Sequence, residues 1–176
     1  MLTFFRSKSN PDKIAAEKLY FSLASQSRNP IFYAEWGVPD TLDGRFDMVL
    51  LHVFAVIQHL RKHGKAGSSL AQALYDVMFV DMDRTVREMG IGDLSVKRHI
   101  RRMMTAFNGR MDAYSKGLEA PETMDAAIRR NVYAEVNSAI DTAPLKAYLL
   151  SCVQGEQPVM SGQMVWPVLG ELKQSA

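Results

Sequence analysis

The sequence predicts an all-α, single-domain fold, an irregular bundle of about six or seven helices, from three observations. No segment alternates apolar and polar residues with the period of two that marks a half-buried strand. Helix-opening and helix-closing residues recur along the chain, at Asn10-Pro11, Asn29-Pro30, Gly64, Ser68-Ser69, Gly90, Pro121, Ala143-Pro144 and Gly155. With 176 residues, 47% of them hydrophobic, the chain has apolar material for one core and not for two.

The first helix opens at Asn10-Pro11, a capping side chain followed by the residue tolerated in a first turn, and stops before Asn29-Pro30. Ile14, Leu19, Tyr20 and Leu23 mark its apolar face. Residues 30–42 hold Pro30, Gly37 and Pro39 among Phe32, Tyr33 and Trp36, which predicts a short helical or irregular connector whose aromatics pack inward. The second long helix runs from about Asp43 to His63 and stops at Gly64. Phe46, Val49, Leu50, Val53, Ile57 and Leu60 form its stripe, and Leu51, Phe54 and Val56 widen that stripe into a helix packed on most sides. A third helix begins after Ser68-Ser69 and ends at Gly90, a fourth runs from Asp93 or Ser95 to Gly117, a fifth starts at Pro121, and a sixth follows Ala143-Pro144 and ends near Gly155. Trp166 and Val168 predict that the Pro- and Gly-containing tail docks. The expected organisation is an N-terminal helix packed on the domain (1–29), a helical domain (30–155) and a docked tail (156–176), with no internal repeat.

Composition and motif spacing argue against most chemistry. Cys152 is the only cysteine, so no internal disulfide forms, and a reducing compartment is expected. The N-terminus lacks the pattern of a signal peptide, and the longest apolar run, Met48–Ile57, is too short to span a bilayer, so a cytoplasmic location is expected. There is no G-x-S-x-G turn, no Gly-rich phosphate loop and no base flanking Cys152. His52, His59 and His63 share one stripe, but the four-residue pair 59/63 lacks a third ligand, and a half-exposed polar edge is expected instead. Asp76, Asp81 and Asp83 come without the Glu-x-x-His of helical di-metal sites. The expectation is a non-enzyme with no metal and no cofactor.

The segment GVPDTLDGRFD (37–47) concentrates turn residues and acid in front of the most apolar run. Asp43 is placed to accept from the free amides of the first turn, and its charge and that of Asp47 suit the positive end of the helix dipole. Gly37 and Gly44 permit close backbone approach and Pro39 fixes the entry direction. Arg45 is a cation where the dipole is unfavourable, so it calls for a carboxylate; Asp81 or Asp76 of the third helix is the expected partner, while Asp83 pairs with Arg87 one turn on.

Three blocks in order, GVPDTLDGRFDMVLLH, LAQALYDVMFVDMDRTVREMGIGDLSVKRHIRRM and AFNGR, resemble the ubiquinol-cytochrome c chaperone family over roughly residues 30–150. The resemblance is to the bacterial members; Lys97-Arg98 stands in place of the family's Gly-Lys pair, and Asn108 in place of an aromatic. It implies an assembly factor that binds newly made cytochrome b during biogenesis of respiratory complex III. It further implies contact with other complex III assembly factors, a peripheral position at the inner face of the cytoplasmic membrane or on the ribosome, and no DNA. By the same resemblance Gly37, Pro39, Asp40, Asp43, Gly44, Arg45, Asp76, Asp81, Asp83, Gly90 and Asp93 belong to the family's structural signature.

The candidate partner surface is the run KRHIRR. Lys97, Arg98, Arg101 and Arg102 cover one broad face of the fourth helix, and Ile100, Met103, Met104 and Phe107 supply its core stripe. Eleven methionines, with Met78, Met82 and Met89 on the third helix, offer adaptable apolar contacts; Phe79 and Val80 lie off that helix's main stripe and need cover, so Phe79 and Met82 join the candidate surface. The alternatives are a helical nucleic-acid-binding module built on the same basic run, which the net charge of only +2 disfavours, and a small helical enzyme or metal protein using His59, His63 and the aspartates.

Overall fold

The computed structural model describes residues 11–88, 93–133 and 140–170, with backbone alone for 93–97, 99 and 100. These form α1 (Pro11–Ser27), α2 (Pro30–Ala34), α3 (Leu42–Arg61), α4 (Gly64–Glu88), α5 (Asp93–Glu119), α6 (Met124–Val132) and α7 (Ala143–Val153), with 3-10 turns at Pro121–Thr123 and Val159–Ser161. No strand occurs among the described residues, and the all-α class read from the sequence holds.

Helix α3 is the axis of the bundle, with α1, α4, α5, α6 and α7 packed around it. Every residue from Leu50 to Ile57 is buried, so the widened stripe of the sequence is a helix without a solvent face over that length. By contrast α4 buries one narrow row, Leu70, Leu74, Met78, Met82 and Val86, at the four-residue spacing of a surface helix. α1 lays Leu19 and Leu23 against α3 and α4, while α7 contributes Leu145, Tyr148, Leu149 and Cys152. Ile14 is 41% exposed, and Ala15 and Ala16 take the inward positions expected of it.

The histidines of α3 do not form a polar edge. His52 and His59 are fully inside and only His63 is exposed, because partners for the first two arrive from a helix more than ninety positions later. Burial holds His52 down to about 4, so its ring is neutral. Nδ1–H then donates to Met48 O at 2.7 Å, Tyr148 donates its hydroxyl to Nε2 at 2.8 Å, and Gln26 Nε2 donates to the Tyr148 oxygen at 3.1 Å. His59 Nε2 donates to the carbonyl of Cys152 at 2.8 Å. The tail closes over the same place: Trp166 packs edge-to-face on His52 with ring centroids 5.0 Å apart and donates Nε1–H to Ser22 Oγ at 2.9 Å.

Several boundaries shift from the sequence expectation. α3 is capped by Thr41, whose Oγ1 accepts from Gly44 N at 3.1 Å, not by Asp43. α4 starts at Gly64 itself, whose φ of +56° turns the chain directly from one helix into the next without the loop expected up to Ser69. α5 continues through Gly117 to Glu119, since that glycine is where Met124 crosses rather than a helix stop. Val168 is 62% exposed, and Val159, Met164 and Leu169 anchor the tail instead. Asn10, Met89 and Gly90 lie outside the described residues.

The entry to α3 is the tightest backbone contact in this region. A Cβ on Gly44 would stand 2.0 Å from Pro39 O, whereas one on Gly109 of α5 would meet nothing within 4 Å. Gly44→Ala is therefore expected to cost about 2 kcal/mol or more through forced backbone movement, and Gly109→Ala to gain about 0.5–1 kcal/mol. Urea denaturation of the two variants reads both signs.

Candidate functional site

A cleft of about 530 Å³ opens where the first two turns of α3 meet α1, α4, α5 and α6. Its walls are Phe46 and Val49 from α3, Met82 and Val86 from α4, and Met103 and Ala106 from α5. Around the mouth stand the exposed side chains of Arg28, Leu42, Asp43, Arg45, Arg102 and Arg130.

The floor is polar. Asp47 is only 5% exposed and its Oδ1 lies 2.5 Å from Arg110 Nη2, an ion pair without the geometry of a hydrogen bond. Burial pushes the Asp47 carboxyl up to about 7, with Arg110 pulling the other way and Asp43 adding to the rise. Arg110 Nε and Asn131 Nδ2, on α5 and α6, are buried without hydrogen-bond partners, and so is the hydroxyl of nearby Tyr114. A buried donor left unmatched costs about 1–3 kcal/mol, so this floor is built at the expense of stability.

Arg45 does not bridge α3 to α4. It pairs with Asp40 at 2.6 Å and stands 5.9 Å over the Tyr33 ring, because the turn before α3 brings Asp40 within reach first. That contact, on the surface, holds the Asp40 carboxyl below its ordinary value. Asp81 instead accepts from the Tyr20 hydroxyl at 2.8 Å and pairs with Arg84, so it ties α4 to α1. Asp76 is exposed and accepts from Gln72 at 3.0 Å, while Asp83 pairs with Arg87 at 2.6 Å as its spacing predicts. Asp47, read from sequence as a dipole partner, is turned inward to Arg110.

Of the candidate partner residues, Arg98, Arg101 and Arg102 are exposed on α5, and among these Arg102 alone reaches the cleft. Met82 is in the cleft wall; Phe79 is half-buried against the core and does not line it. Met104, assigned to the core stripe, is 44% exposed, and Val80 is 71% exposed. The side chains of Asp93, Lys97 and Ile100 lie outside the described residues. Sequence reading missed Arg28, Leu42, Arg110 and Arg130 as members of one site; the available signal was Asp47, a carboxylate inside an apolar run. Among the described residues no three His, Cys, Asp or Glu side chains converge to hold a metal. Cys152 is buried, with its thiol pushed up to about 12 by burial. No helix among the described residues is long and apolar enough to cross a membrane.

The family model described as ubiquinol-cytochrome C chaperone matches residues 34–155. The chain belongs to that family. The ubiquinol-cytochrome-c reductase complex assembly factor 1 of Xenopus laevis is 24% identical over 167 residues, covering 90% of this chain and 84% of the relative. Its counterpart in Mus musculus is 22% identical, and there the match spans 57% of the relative's length. A crystal structure of the Cbp3 homolog from Brucella abortus superposes with a TM-score of 0.81 at 30% identity, covering 95% of this chain and 96% of that one. Within this chaperone fold the cleft residues from α3 to α6 all fall in the matched stretch, and Tyr20, Ser27 and Arg28 precede it.

Asp47 supplies a pH test. With its folded value raised from 3.8 to about 7, the folded state holds a proton that the unfolded state has lost between those pH values, so this group's contribution to stability falls as pH rises from about 4 to about 7. Asp47→Asn removes that loss. Its stability relative to the native chain is expected to climb across the same window in urea denaturation; a pH-independent difference would contradict the assignment.

Proposed function

We propose that this chain is an assembly chaperone for ubiquinol-cytochrome c reductase that binds newly made cytochrome b and holds it for maturation, with no catalytic step of its own. The observation that carries the reading is the family match across residues 34–155, which includes the central helix and most of the cleft. Surface chemistry supports it. Arg98, Arg101 and Arg102 put three guanidinium groups on one exposed stretch of α5, with the partly exposed thioether of Met104 beside them and the mouth of the cleft at Arg102. Arginine pairs with carboxylates in bidentate fashion and its stem covers apolar surface, a combination suited to a client with charged loops and apolar helices.

A membrane-embedded client places the chaperone at the membrane surface, and the same arginines suit anionic headgroups on the inner face of the cytoplasmic membrane or the ribosome during synthesis. Other assembly factors of the complex are the expected companions. A dedicated nucleic-acid module is disfavoured: net charge is only +2, and Asp43, Asp47 and Asp81 stand among the cleft arginines.

The test is capture from native membranes with the tagged chain and with an Arg98→Ser/Arg101→Ser/Arg102→Ser variant. All three side chains are exposed, so the melting temperature is expected to hold within about 2 °C, while retained cytochrome b falls at least about tenfold, the equivalent of about 1.4 kcal/mol. Equal capture would remove the α5 face from the interface; retention of RNA alone, released by salt, would move the function to nucleic acid.

A further inference from the structure

The cleft sets unmatched donors close to apolar wall. On the side of α5 and α6, Arg110 Nε and Asn131 Nδ2 are buried donors without acceptors, with Arg102 and Arg130 above them at the mouth. Neither rim arginine makes an ion pair among the described residues. Apolar wall comes from Phe46, Val49, Met82 and Val86 of α3 and α4, with Asp43, Arg45, Asp47, Asp81 and Thr85 on the same helices, and from Met103 and Ala106 of α5. The carboxylates that face the cleft do not cancel this pattern: Asp47 is matched to Arg110, Asp81 to Tyr20 and Arg84, and Asp43 sits exposed at the rim. Unmatched donors beside an apolar wall describe a ligand with an anionic, acceptor-rich head and a hydrocarbon tail.

Size narrows the choice. Small-molecule sites occupy about 300–1,000 Å³, and the cleft holds about 530 Å³.

We propose that this cleft binds a single-chain lipid anion with a phosphate head, the head taken by Arg102, Arg130 and the free donors of Arg110 and Asn131, and the alkyl chain lying along Phe46, Val49, Met82 and Val86. Planar guanidinium groups in pairs match phosphate oxygens, and a dry, apolar surround strengthens each contact. The site goes beyond the chaperone reading and does not rest on it: it assigns a ligand to the interior of the cleft, whereas the client reading concerns the outer face of α5, and the two share Arg102 at the mouth.

Calorimetric titration of the full chain, below micelle concentrations, tests it with three probes: dodecyl phosphate, inorganic phosphate and uncharged dodecyl maltoside. Dodecyl phosphate is expected to bind one to one and at least tenfold tighter than either other probe. Arg102→Ser/Arg130→Ser alters two exposed side chains, leaving the fold intact, and is expected to weaken dodecyl phosphate at least tenfold without changing dodecyl maltoside. Amide shifts at residues 46–49 and 82–86 on adding dodecyl phosphate report whether the tail lies where proposed. Inorganic phosphate binding as tightly as dodecyl phosphate would make this a free-phosphate site and overturn the lipid assignment. Equal binding of dodecyl maltoside, or indifference to the arginine pair, would reduce the effect to apolar adsorption and overturn it too. Loss of cytochrome b capture with dodecyl phosphate binding retained would defeat the client reading alone.

Discussion

Eight consecutive residues of α3, from Leu50 to Ile57, are buried, and a helix with no solvent face must find partners for every polar group it carries inside. His52 is that group. An imidazole sealed in the core without hydrogen bonds would cost about 1–3 kcal/mol, and here one nitrogen is met by the helix's own backbone and the other by Tyr148, which is in turn met by Gln26. The chain of bonds thus runs from α3 to α7 and on to α1. Phe32, Trp36 and Trp166 pack their rings around its centre, so the connector and the tail are fixed by the same requirement. His59, about two turns further along, bonds the carbonyl of Cys152 through Nε2 alone, and its Nδ1 is left unmatched.

Because α3 spends residues 50–57 on this sheath, it is partly open only at its first two turns and at its last, where Gln58 is half-buried and Arg61 exposed. At the first two turns Leu42, Phe46 and Val49 stay in reach of solvent, and Asp47 is the last polar side chain before the sealed stretch. Pairing Asp47 with Arg110 of α5 closes the core at that level but leaves neighbouring donors unmatched, a cost the fold bears where a ligand or partner can relieve it. The buried scaffold and the cleft are therefore adjacent lengths of one helix, divided at about residue 49.

Much of the fold was readable from the sequence because it rests on local rules. Gly64, Pro121, Pro144 and the all-round apolarity of 46–60 gave the helix order and the central helix. What escaped was non-local. Nothing near His52 announces Tyr148, 96 positions away, so a buried histidine reads as a surface one. Arg45 was paired across helices when the intervening turn already offered Asp40. The same limit applied to the site: the carboxylates of GVPDTLDGRFD and the basic run of α5 were both noticed, but their meeting through Asp47 and Arg110 depends on how α5 crosses α3. Arg130 and Asn131 enter from a third helix with no motif of their own.

The central claim of the proposed function is that the client meets the mouth of the cleft, where exposed Arg102 of α5 stands beside the first turns of α3, and not the far end of α3. A photo-reactive residue placed at Leu42, on the rim of the cleft, and in a separate variant at exposed Arg61, tests this directly, since the two sites stand at opposite ends of α3 about 30 Å apart. In membranes synthesising cytochrome b, the account predicts a covalent adduct with cytochrome b from position 42 and none from position 61. Adducts from 61 with none from 42 would contradict it.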